Sequence, residues 1–337
     1  MSKAKTFKDL MLAEFEETYE KVFVTEEEYM VFSTGSPSLD ISIGIGGIPT
    51  RRFTEISGVE GSAKSTFSYS TAKNALDILA PLGKKVLYVD VENQGTIDYI
   101  QAIIEPYKVG VDFIIAKPDF SSDAFKICEA GINSNEFGLI ILDSIGALAP
   151  KEEKEKEFDE GSMTLIPREL SKFLRRNAYA VRDNNIAFLF INQVRDSIGS
   201  YVKSFTTPGG HALKHFSSLI ITLSKGQEIK IGEESIGMNT KFTIKKNKMA
   251  PPNRSFIVPI IFGKGVDTYR DLVSFAETLG VIQRRGAYYQ FNGENLGQGM
   301  LNTLATLENT PEMLDKIKGM CYNTIKKQKV EIESEEE

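Results

Sequence analysis

A glycine-rich loop ahead of a lysine is the clearest chemical signal in this 337-residue sequence. Consecutive backbone N–H groups of such a loop, together with a helix N-terminus, point at one anion and so bind phosphate. Lys64 adds a mobile positive charge for the β- and γ-phosphates, and the Ser65 hydroxyl completes the shell of a Mg²⁺ ion. The residues predicted to contact a nucleotide here are Gly58, Val59, Glu60, Gly61, Ser62, Ala63, Lys64, Ser65 and Thr66.

One position departs from the usual pattern G-x-x-x-x-G-K-[ST], because Ala63 replaces the second glycine. A methyl group there crowds a phosphate or disfavours a backbone with positive φ, although Gly61 still supplies flexibility. Read alone, these residues are also compatible with a Ser/Gly-rich turn that happens to precede a lysine. The strand-like run Arg52 to Ile56 and the helix-like run Thr66 to Leu79 favour the phosphate loop, since the motif needs both flanks.

Three polar side chains follow apolar, strand-like runs downstream of the loop. Ligands of an open parallel sheet bind at the carboxyl ends of its strands, so Glu92 is placed to polarise a water that faces a γ-phosphate. Asp143 ends the next such run and has the pattern of a residue that supports the Mg²⁺ shell. Gln193 can donate to a γ-phosphate and lose that partner on hydrolysis, which makes it a candidate switch. Glu92 is also compatible with capping the predicted helix Thr96 to Ile104.

Two segments on either side of a predicted helix have loop-like composition. Lys151 to Glu160 carries three basic and six acidic residues, and Asp196 to Gly210 is rich in Gly, Ser and Thr. Flexible backbone with aromatic and basic groups suits single-stranded nucleic acid, because bases stack on the rings without sequence preference. The helix between them has a basic face, which suits a phosphodiester backbone or is simply a solvated surface. The residues concerned are Arg168, Lys172, Arg175 and Arg176 on the helix and Tyr201, Lys203 and Phe205 in the second loop.

Composition sets bounds on the class of protein. Helix-like and strand-like runs alternate, which favours an α/β fold. No apolar run approaches the roughly 18 residues of a membrane-spanning helix, and we expect a cytosolic protein. The two cysteines, Cys128 and Cys321, are far apart and are interpreted as reduced structural thiols.

The net charge of −6 argues against indiscriminate nucleic-acid binding, but five of the acidic residues lie in the last seven positions. That tail either competes with nucleic acid for a basic groove or only keeps the protein in solution. At the other terminus, Phe7 to Val22 has one apolar stripe at helical spacing. The stripe is compatible with docking on a neighbouring subunit or with packing on its own domain.

Several motifs, taken in order, resemble bacterial-type RecA recombinases, including phage-encoded ones. The resemblance covers nearly the whole chain and continues through Gly286–Tyr289 and Gly297–Gly299. It implies an α/β fold with a RecA-like P-loop ATPase core at residues 34–266 and a mostly parallel central sheet. An N-terminal oligomerisation helix and linker (1–33), a small α+β C-terminal domain (267–328) and an acidic tail (329–337) complete the expected organisation. The motifs are Ser33–Asp40, Gly58–Thr66, Tyr88–Glu92, Leu142–Ser144, Ile191–Arg195, Gly209–Lys214 and Lys246–Lys248.

The resemblance also implies an ATP-dependent helical filament on single-stranded DNA that pairs with homologous double-stranded DNA and exchanges strands. ATP and Mg²⁺ would be the cofactors, and hydrolysis would yield ADP and phosphate. By motif position Tyr99 would stack on adenine, and Phe262 would stand near the nucleotide. Lys246 and Lys248 would reach across the subunit interface and neutralise transition-state charge, as an arginine finger does. The roles carried over for Lys64, Ser65, Thr66, Glu92, Asp143 and Gln193 match those argued above.

The two loop-like segments match the family's DNA-binding loops, at about Lys151–Met163 and Val194–Gly209. The DNA contacts predicted from the helix face, the loops and this match are Arg168, Lys172, Arg175, Arg195, Tyr201, Lys203, Phe205, Gly209 and Gly210. Arg284 and Arg285 are hypothetical contacts to duplex DNA. Two other functions stay open: a hexameric helicase motor on the same fold, and an ATP-gated scaffold on single-stranded DNA with weak hydrolysis.

Overall fold

The computed structural model of the chain describes residues 29–151, 165–196, 205–206 and 210–335, and of these the backbone alone at 195–196, 205–206 and 328–335. The predicted helix at 7–22 and most of both predicted loops lie outside these residues. From Val31 onward the described residues belong to one compact unit.

A large sheet organises this unit. Six neighbouring strands run parallel in the order β10-β3-β7-β6-β4-β5, and β12, β13 and β14 extend one edge in antiparallel pairing. Two short pairs, β1 with β2 and β8 with β9, are separate from this sheet, and β11 pairs with β12. The strands of this part of the chain are β1 (Val31–Phe32), β2 (Ile48–Pro49), β3 (Arg52–Gly58), β4 (Lys85–Asp90), β5 (Phe113–Ala116), β6 (Phe137–Asp143), β7 (Ala187–Gln193), β8 (Arg195–Asp196), β9 (Phe205–Thr206), β10 (Ser217–Ser224), β11 (Glu228–Ile231), β12 (Glu234–Asn247), β13 (Ser255–Ile261) and β14 (Gly265–Val266).

Helices cover both faces of this sheet, which is why its central strands are almost continuously apolar. On one face Phe188 stacks on Phe190 with ring centroids 4.6 Å apart, beneath the stacked pair of Phe125 and Phe173. The helices of this part are α1 (Pro37–Ile43), α2 (Lys64–Leu79), α3 (Ile97–Ile104), α4 (Ser121–Asn133), α5 (Leu165–Asp183) and α6 (Gly210–Phe216).

The C-terminal part has its own three-stranded antiparallel sheet and its own apolar cluster, which includes Leu272, Phe275 and Tyr289. Its elements are α7 (Thr268–Thr278), β15 (Ile282–Arg285), β16 (Tyr288–Phe291), β17 (Glu294–Gln298), α8 (Gly299–Glu308) and α9 (Pro311–Glu335). The predicted α/β class with a mostly parallel sheet and a small α+β C-terminal part is therefore confirmed. The predicted domain boundaries stay predictions.

A buried polar cluster joins α1 to α7. Asp271 Oδ2 accepts hydrogen bonds from Ser36 Oγ and from the Ser38 amide, both at 2.9 Å, and its Oδ1 accepts one from Ser38 Oγ at 2.7 Å. Beside it, Asp40 Oδ1 accepts from the amide and hydroxyl of Thr34, and its Oδ2 accepts from Ser33 Oγ. Burial raises the pKa of Asp271 to about 6 and that of Asp40 to about 7, against the opposing effect of these donors. We call these two aspartates and their donors the junction cluster.

Local predictions agree with these elements to within a few residues. The run from Lys85 forms a strand only as far as Asp90, and Val91 and Glu92 lie in a bend beyond it. Both cysteines are buried free thiols. Among the described residues, no helix is long and apolar enough to cross a membrane.

Candidate functional site

The predicted phosphate loop connects the end of β3 to the start of α2. Its backbone needs glycine at two places. A Cβ on Gly58 would lie 2.4 Å from the carbonyl oxygen of Leu223 on the neighbouring strand, and Gly61 has a φ of +67°. Close packing and a left-handed turn therefore shape the loop before any side chain contributes.

Ala63 has a left-handed backbone, with φ at 61° and ψ at 28°, directly before α2. The sequence predicted a conflict between a methyl group and positive φ at this position, and the observed backbone confirms it. For an L-residue the left-handed region costs roughly 1–2 kcal/mol. The loop is built against the preference of its own residue.

Lys64 lies across the loop. Its Nζ donates to the carbonyl oxygen of Val59 at 2.9 Å, and the residue is only 7% exposed. Burial lowers the pKa of Lys64, while the carboxylates of Asp143, Glu92 and Glu60 favour its charged form. The ammonium group is thus held by the loop and is surrounded by opposite charge.

Asp143, at the end of β6, receives two hydroxyl donors on one oxygen. Ser65 Oγ donates to Oδ2 at 2.6 Å, and the Tyr88 hydroxyl donates to the same atom at 2.5 Å. Burial raises the pKa of Asp143 to about 6, although both donors favour the ionised form. Among the described residues, no hydrogen-bond donor reaches Oδ1.

Glu92 faces the end of β7. Its Oε1 accepts from Gln193 Nε2 at 2.6 Å and from Ser144 Oγ at 2.5 Å. Gln193 is the register partner of Gly58, so the amide lies at the mouth of the phosphate loop. The alternative that Glu92 caps the following helix is wrong, because its carboxylate bonds to Gln193 and Ser144, and Thr96 is the N-cap of α3.

These side chains fit a Mg²⁺-bound nucleotide. Because the Ser65 hydroxyl hydrogen is directed at Asp143, its lone pairs remain for a cation. Lys64 and the loop amides supply positive charge beside that position. Ser65 and Asp143 would hold the metal, which when bound neutralises phosphate charge.

The predicted base contacts have different positions. The Tyr99 hydroxyl lies 3.1 Å from Thr66 Oγ1 and so stands beside the loop. Phe262 is 44% exposed in the turn between β13 and β14 and, within the described residues, has no hydrogen bond or ring contact with the loop. The structure brings Tyr99 to the site and leaves the role of Phe262 a prediction.

Lys246 lies at the end of β12, away from the loop of its own chain. Its Nζ donates to the carbonyl oxygens of Lys214 at 2.6 Å and His215 at 3.2 Å, in the last turn of α6. Lys248 is exposed. Neither lysine points into the apolar interior, and α6 directly follows the second predicted DNA loop.

The basic face of α5 is exposed, as predicted. Arg168, Lys172 and Arg175 have no acidic partner within 4.0 Å in the described part of the chain, whereas Arg176 pairs with Glu129 at 3.0 Å. Gly210 begins α6. The backbones of Arg195 and Phe205 lie in the short β8–β9 pair, and their side chains, like Tyr201, Lys203 and Gly209, fall outside the described residues.

Sequence reasoning missed two residues of the site, Ser144 and Tyr88, and a buried polar pair in the neighbouring strands. Ser144 and Tyr88 stand inside motifs that were recognised, but a serine after an aspartate and an aromatic within a strand carry no signal of their own. Asn192, next to Gln193, donates from Nδ2 to Glu55 Oε1 at 2.9 Å in the buried sheet. Burial raises the pKa of Glu55. No pattern in the sequence separates these residues from ordinary core positions.

A parallel sheet with a phosphate loop after a central strand, and with carboxylates at the ends of two others, defines a P-loop nucleotide-binding protein. The family model of the RecA N-terminal domain matches residues 17–267, and that of the RecA C-terminal domain matches residues 270–326. The chain belongs to the RecA family. It is therefore a recombinase of the P-loop ATPase type that binds nucleotide with Mg²⁺.

Individual relatives agree with this assignment. The chain is 36% identical to Protein RecA of Syntrophus aciditrophicus over 86% of its own length and 83% of that protein. Protein RecA of Halalkalibacterium halodurans is 32% identical over 100% of this chain and 97% of the relative. The crystal structure of the RadB recombinase superposes with a TM-score of 0.52 at 21% identity, covering 70% of this chain and 98% of that one, and supports the fold.

Proposed function

We propose that this recombinase forms helical filaments on single-stranded DNA, pairs that strand with homologous duplex DNA and exchanges strands. Hydrolysis of ATP to ADP and phosphate is coupled to filament turnover. The hydrogen bond between Gln193 and Glu92 carries this proposal. It links the candidate water-activating carboxylate to the residue directly before the second predicted DNA loop.

The geometry at Glu92 supports a defined division of labour. Ser144 and Gln193 both donate to Oε1, which leaves Oε2 to take the proton of an attacking water. Gln193 would exchange its bond with Glu92 for one with a γ-phosphate. That exchange would move the end of β7, and with it the loop that begins at Val194. DNA binding and nucleotide binding would then both change the conformation of the end of β7 and of the loop that follows it.

The lysines of β12 support hydrolysis between subunits. Because Lys246 is bonded to the last turn of α6, it is free of its own phosphate loop. We propose that Lys246 and Lys248 approach the phosphates bound by a neighbouring subunit in the filament. Hydrolysis would then need a neighbour.

The DNA surface rests on the exposed basic face of α5. Arg168, Lys172 and Arg175 are not neutralised by acidic neighbours among the described residues and can contact phosphates without reading bases. Affinity for single strands should therefore fall linearly with salt on a log-log plot and depend little on sequence.

An ATPase assay tests the catalytic proposal. Phosphate release is measured with and without single-stranded DNA for the wild type, for Glu92→Gln and for Asp98→Asn, a control that removes an exposed carboxylate of α3. We expect DNA-stimulated turnover in the wild type and control, and a loss of about 10²–10⁴-fold in Glu92→Gln. Wild-type turnover as low as that of Glu92→Gln contradicts the assignment of an ATPase.

Electron microscopy tests the assembly. The protein is imaged with single-stranded DNA and a slowly hydrolysed ATP analogue. Helical filaments are expected, and closed rings would favour the helicase motor instead. The match to the RecA C-terminal domain at residues 270–326 supports the recombinase.

The left-handed backbone at Ala63 favours a second candidate, an ATP-gated DNA-coating scaffold with weak hydrolysis. A strained loop would bind phosphate with poorly aligned amides. Including Ala63→Gly in the same assay separates the two functions. If the wild type shows no ATP turnover and Ala63→Gly does, the result supports the scaffold.

A further inference from the structure

Two tyrosine hydroxyls in series end on the carboxylate of the candidate metal site. Tyr69 donates to the Tyr88 hydroxyl oxygen at 3.1 Å, and Tyr88 donates to Asp143 Oδ2 at 2.5 Å. The three side chains are buried, with no more than 3% exposure each. A buried tyrosine hydroxyl needs a partner, and here the partner is a carboxylate next to the phosphate loop rather than a distant backbone carbonyl.

The hydroxyls close a ring of three elements. Ser65 and Tyr69 stand four residues apart on α2 and so share one face of that helix. Tyr88 lies in β4, and Asp143 ends β6, the strand paired with β4. Asp143 Oδ2 therefore accepts one donor from the helix and one from the sheet. The first turn of α2 is fixed to the sheet through this one oxygen.

Directionality follows from the hydrogen bonds. A carboxylate with a single donor can rotate about its Cβ–Cγ bond, whereas two donors on Oδ2 fix its plane. The Ser65 hydroxyl in turn can direct its hydrogen only at an acceptor that stays in place. Hydrogen bonds to an ionised acceptor are short and about twice as strong as those between neutral groups.

We propose that Tyr88 is a positioning residue for the Mg²⁺ site: its hydroxyl fixes Asp143, and Asp143 orients the Ser65 hydroxyl for the metal. Tyr88 does not touch nucleotide or metal itself. The inference rests on the proposed function, because it concerns Mg²⁺-dependent nucleotide binding at the same loop. It assigns a role to a residue that appeared to be an ordinary core aromatic.

The Tyr88 hydroxyl is a permanent donor. Burial and the neighbouring Asp143 raise the pKa of Tyr88 well above its ordinary value, and burial raises the pKa of Tyr69 too. Both phenols therefore keep their protons. The ring of Tyr88 also packs, with centroids 5.6 Å from Phe113 and 5.1 Å from Tyr69, so the hydroxyl must be tested without removing the ring.

The test measures binding of a fluorescent ADP analogue to the full chain as Mg²⁺ is titrated, and again in EDTA. Tyr88→Phe removes the donor to Asp143 and keeps the ring. Tyr69→Phe removes a hydroxyl that does not touch Asp143, and Phe113→Leu disturbs the packing around Tyr88 without removing a hydroxyl. Thermal melting of each variant confirms that it is folded at the assay temperature.

We expect Tyr88→Phe to raise the Mg²⁺ concentration for half-maximal binding about tenfold, as for other groups that orient metal ligands. Its affinity for the analogue in EDTA should stay within about twofold, because the loop amides are untouched. Tyr69→Phe and Phe113→Leu should leave the Mg²⁺ dependence near that of the wild type, even where Phe113→Leu lowers the melting temperature.

Two results overturn the inference alone. One is a Mg²⁺ dependence of Tyr88→Phe equal to that of the wild type, and the other is an equal loss of affinity with and without Mg²⁺, which would mark a purely structural hydroxyl. If the wild type itself binds the analogue without any dependence on Mg²⁺, the proposed function and the inference both fail.

Discussion

Two groups of carboxylates in this protein differ in the arrangement of their hydrogen bonds. In the junction cluster, both oxygens of Asp271 and both of Asp40 accept donors from the same chain. At the phosphate loop the donors fall on a single oxygen of each carboxylate, Oε1 of Glu92 and Oδ2 of Asp143. The junction cluster is closed, because the chain supplies a donor to every carboxylate oxygen. The site at the phosphate loop is open, because one oxygen of each carboxylate has no donor among the described residues and can accept from a ligand.

Burial and pKa do not separate Asp271 of the junction cluster from Asp143 at the phosphate loop. Asp271 is 1% exposed and Asp143 is 3% exposed, and burial raises the pKa of each to about 6. A perturbed pKa is therefore a weak sign of function by itself, because structural networks produce the same shift. The one-sided pattern of donors is the more informative feature. It predicts that substitutions at the loop change activity, while substitutions at the junction change stability.

After Glu92→Gln, the largest effect is expected for Gln193→Leu, which keeps the size of the side chain but removes its amide. DNA-stimulated phosphate release should fall by about 10²–10³-fold, as for loss of a donor to developing charge. Melting temperature should change little, since Gln193 is only partly buried at the end of β7. If the variant loses stability but keeps DNA-stimulated turnover, Gln193 has a structural role, as the residues of the junction cluster do.

Asp271→Ala tests the closed cluster. It leaves the amide of Ser38 and two serine hydroxyls buried without their acceptor, which should lower the free energy of unfolding by about 3 kcal/mol. Urea denaturation measures this. The control Glu308→Ala, on the exposed face of α8, should change it by less than about 0.5 kcal/mol. ATP turnover per folded molecule should be unchanged, and a large loss would contradict the separation of the two clusters.

The junction cluster should also respond to pH. Burial raises the pKa of Asp40 from 3.8 to about 7, so with rising pH the unfolded chain releases this proton before the folded chain does. The contribution of Asp40 to stability is complete below its unfolded pKa and is lost as pH rises toward 7.

Asp40→Asn cannot ionise and removes this dependence. Between about pH 5 and about pH 8, the free energy of unfolding of the variant relative to the wild type should rise by on the order of 2 kcal/mol. Denaturation at the two pH values measures the difference. Equal differences at both values would show that Asp40 titrates close to its ordinary pKa.

The sequence predicted the residues of the phosphate-loop site better than those of the junction cluster. The residues of the phosphate-loop site follow strands at positions fixed by parallel sheet geometry, and the structure brings them to one edge of the sheet. They are Lys64, Ser65, Glu92, Asp143 and Gln193. A strand end is visible in the sequence as a change from apolar to polar residues. The set of residues that meet at this edge of the sheet could therefore be predicted from the sequence.

The residues that orient this site could not be predicted in the same way. Tyr88 lies among apolar residues in the middle of β4, and its hydroxyl has a role at the site only because Asp143 lies in the adjacent strand. The junction cluster depends on contacts across more than 230 positions, from Ser36 and Ser38 to Asp271. Periodicity and motif spacing carry no information about such pairs.

The smallest effect is expected at Ala63, where the sequence and the backbone disagree. Ala63→Gly relieves a left-handed residue at a gain of roughly 1–2 kcal/mol, but the glycine also makes the unfolded chain more flexible, which offsets about 0.4–1 kcal/mol of that gain. The free energy of unfolding should therefore stay the same or rise by about 1 kcal/mol. The same exchange in the exposed part of α3, Ala102→Gly, should cost about 1 kcal/mol, because helical backbone favours alanine.

Measuring nucleotide affinity shows whether the Ala63 methyl group crowds the phosphate. If it crowds the phosphate, Ala63→Gly should bind a fluorescent ADP analogue a few-fold more tightly, and Ala102→Gly should bind it as the wild type does. A loss of stability equal to that of Ala102→Gly would contradict strain at Ala63. An open site tolerates such strain because its backbone must meet a ligand, whereas the closed cluster satisfies only its own chain.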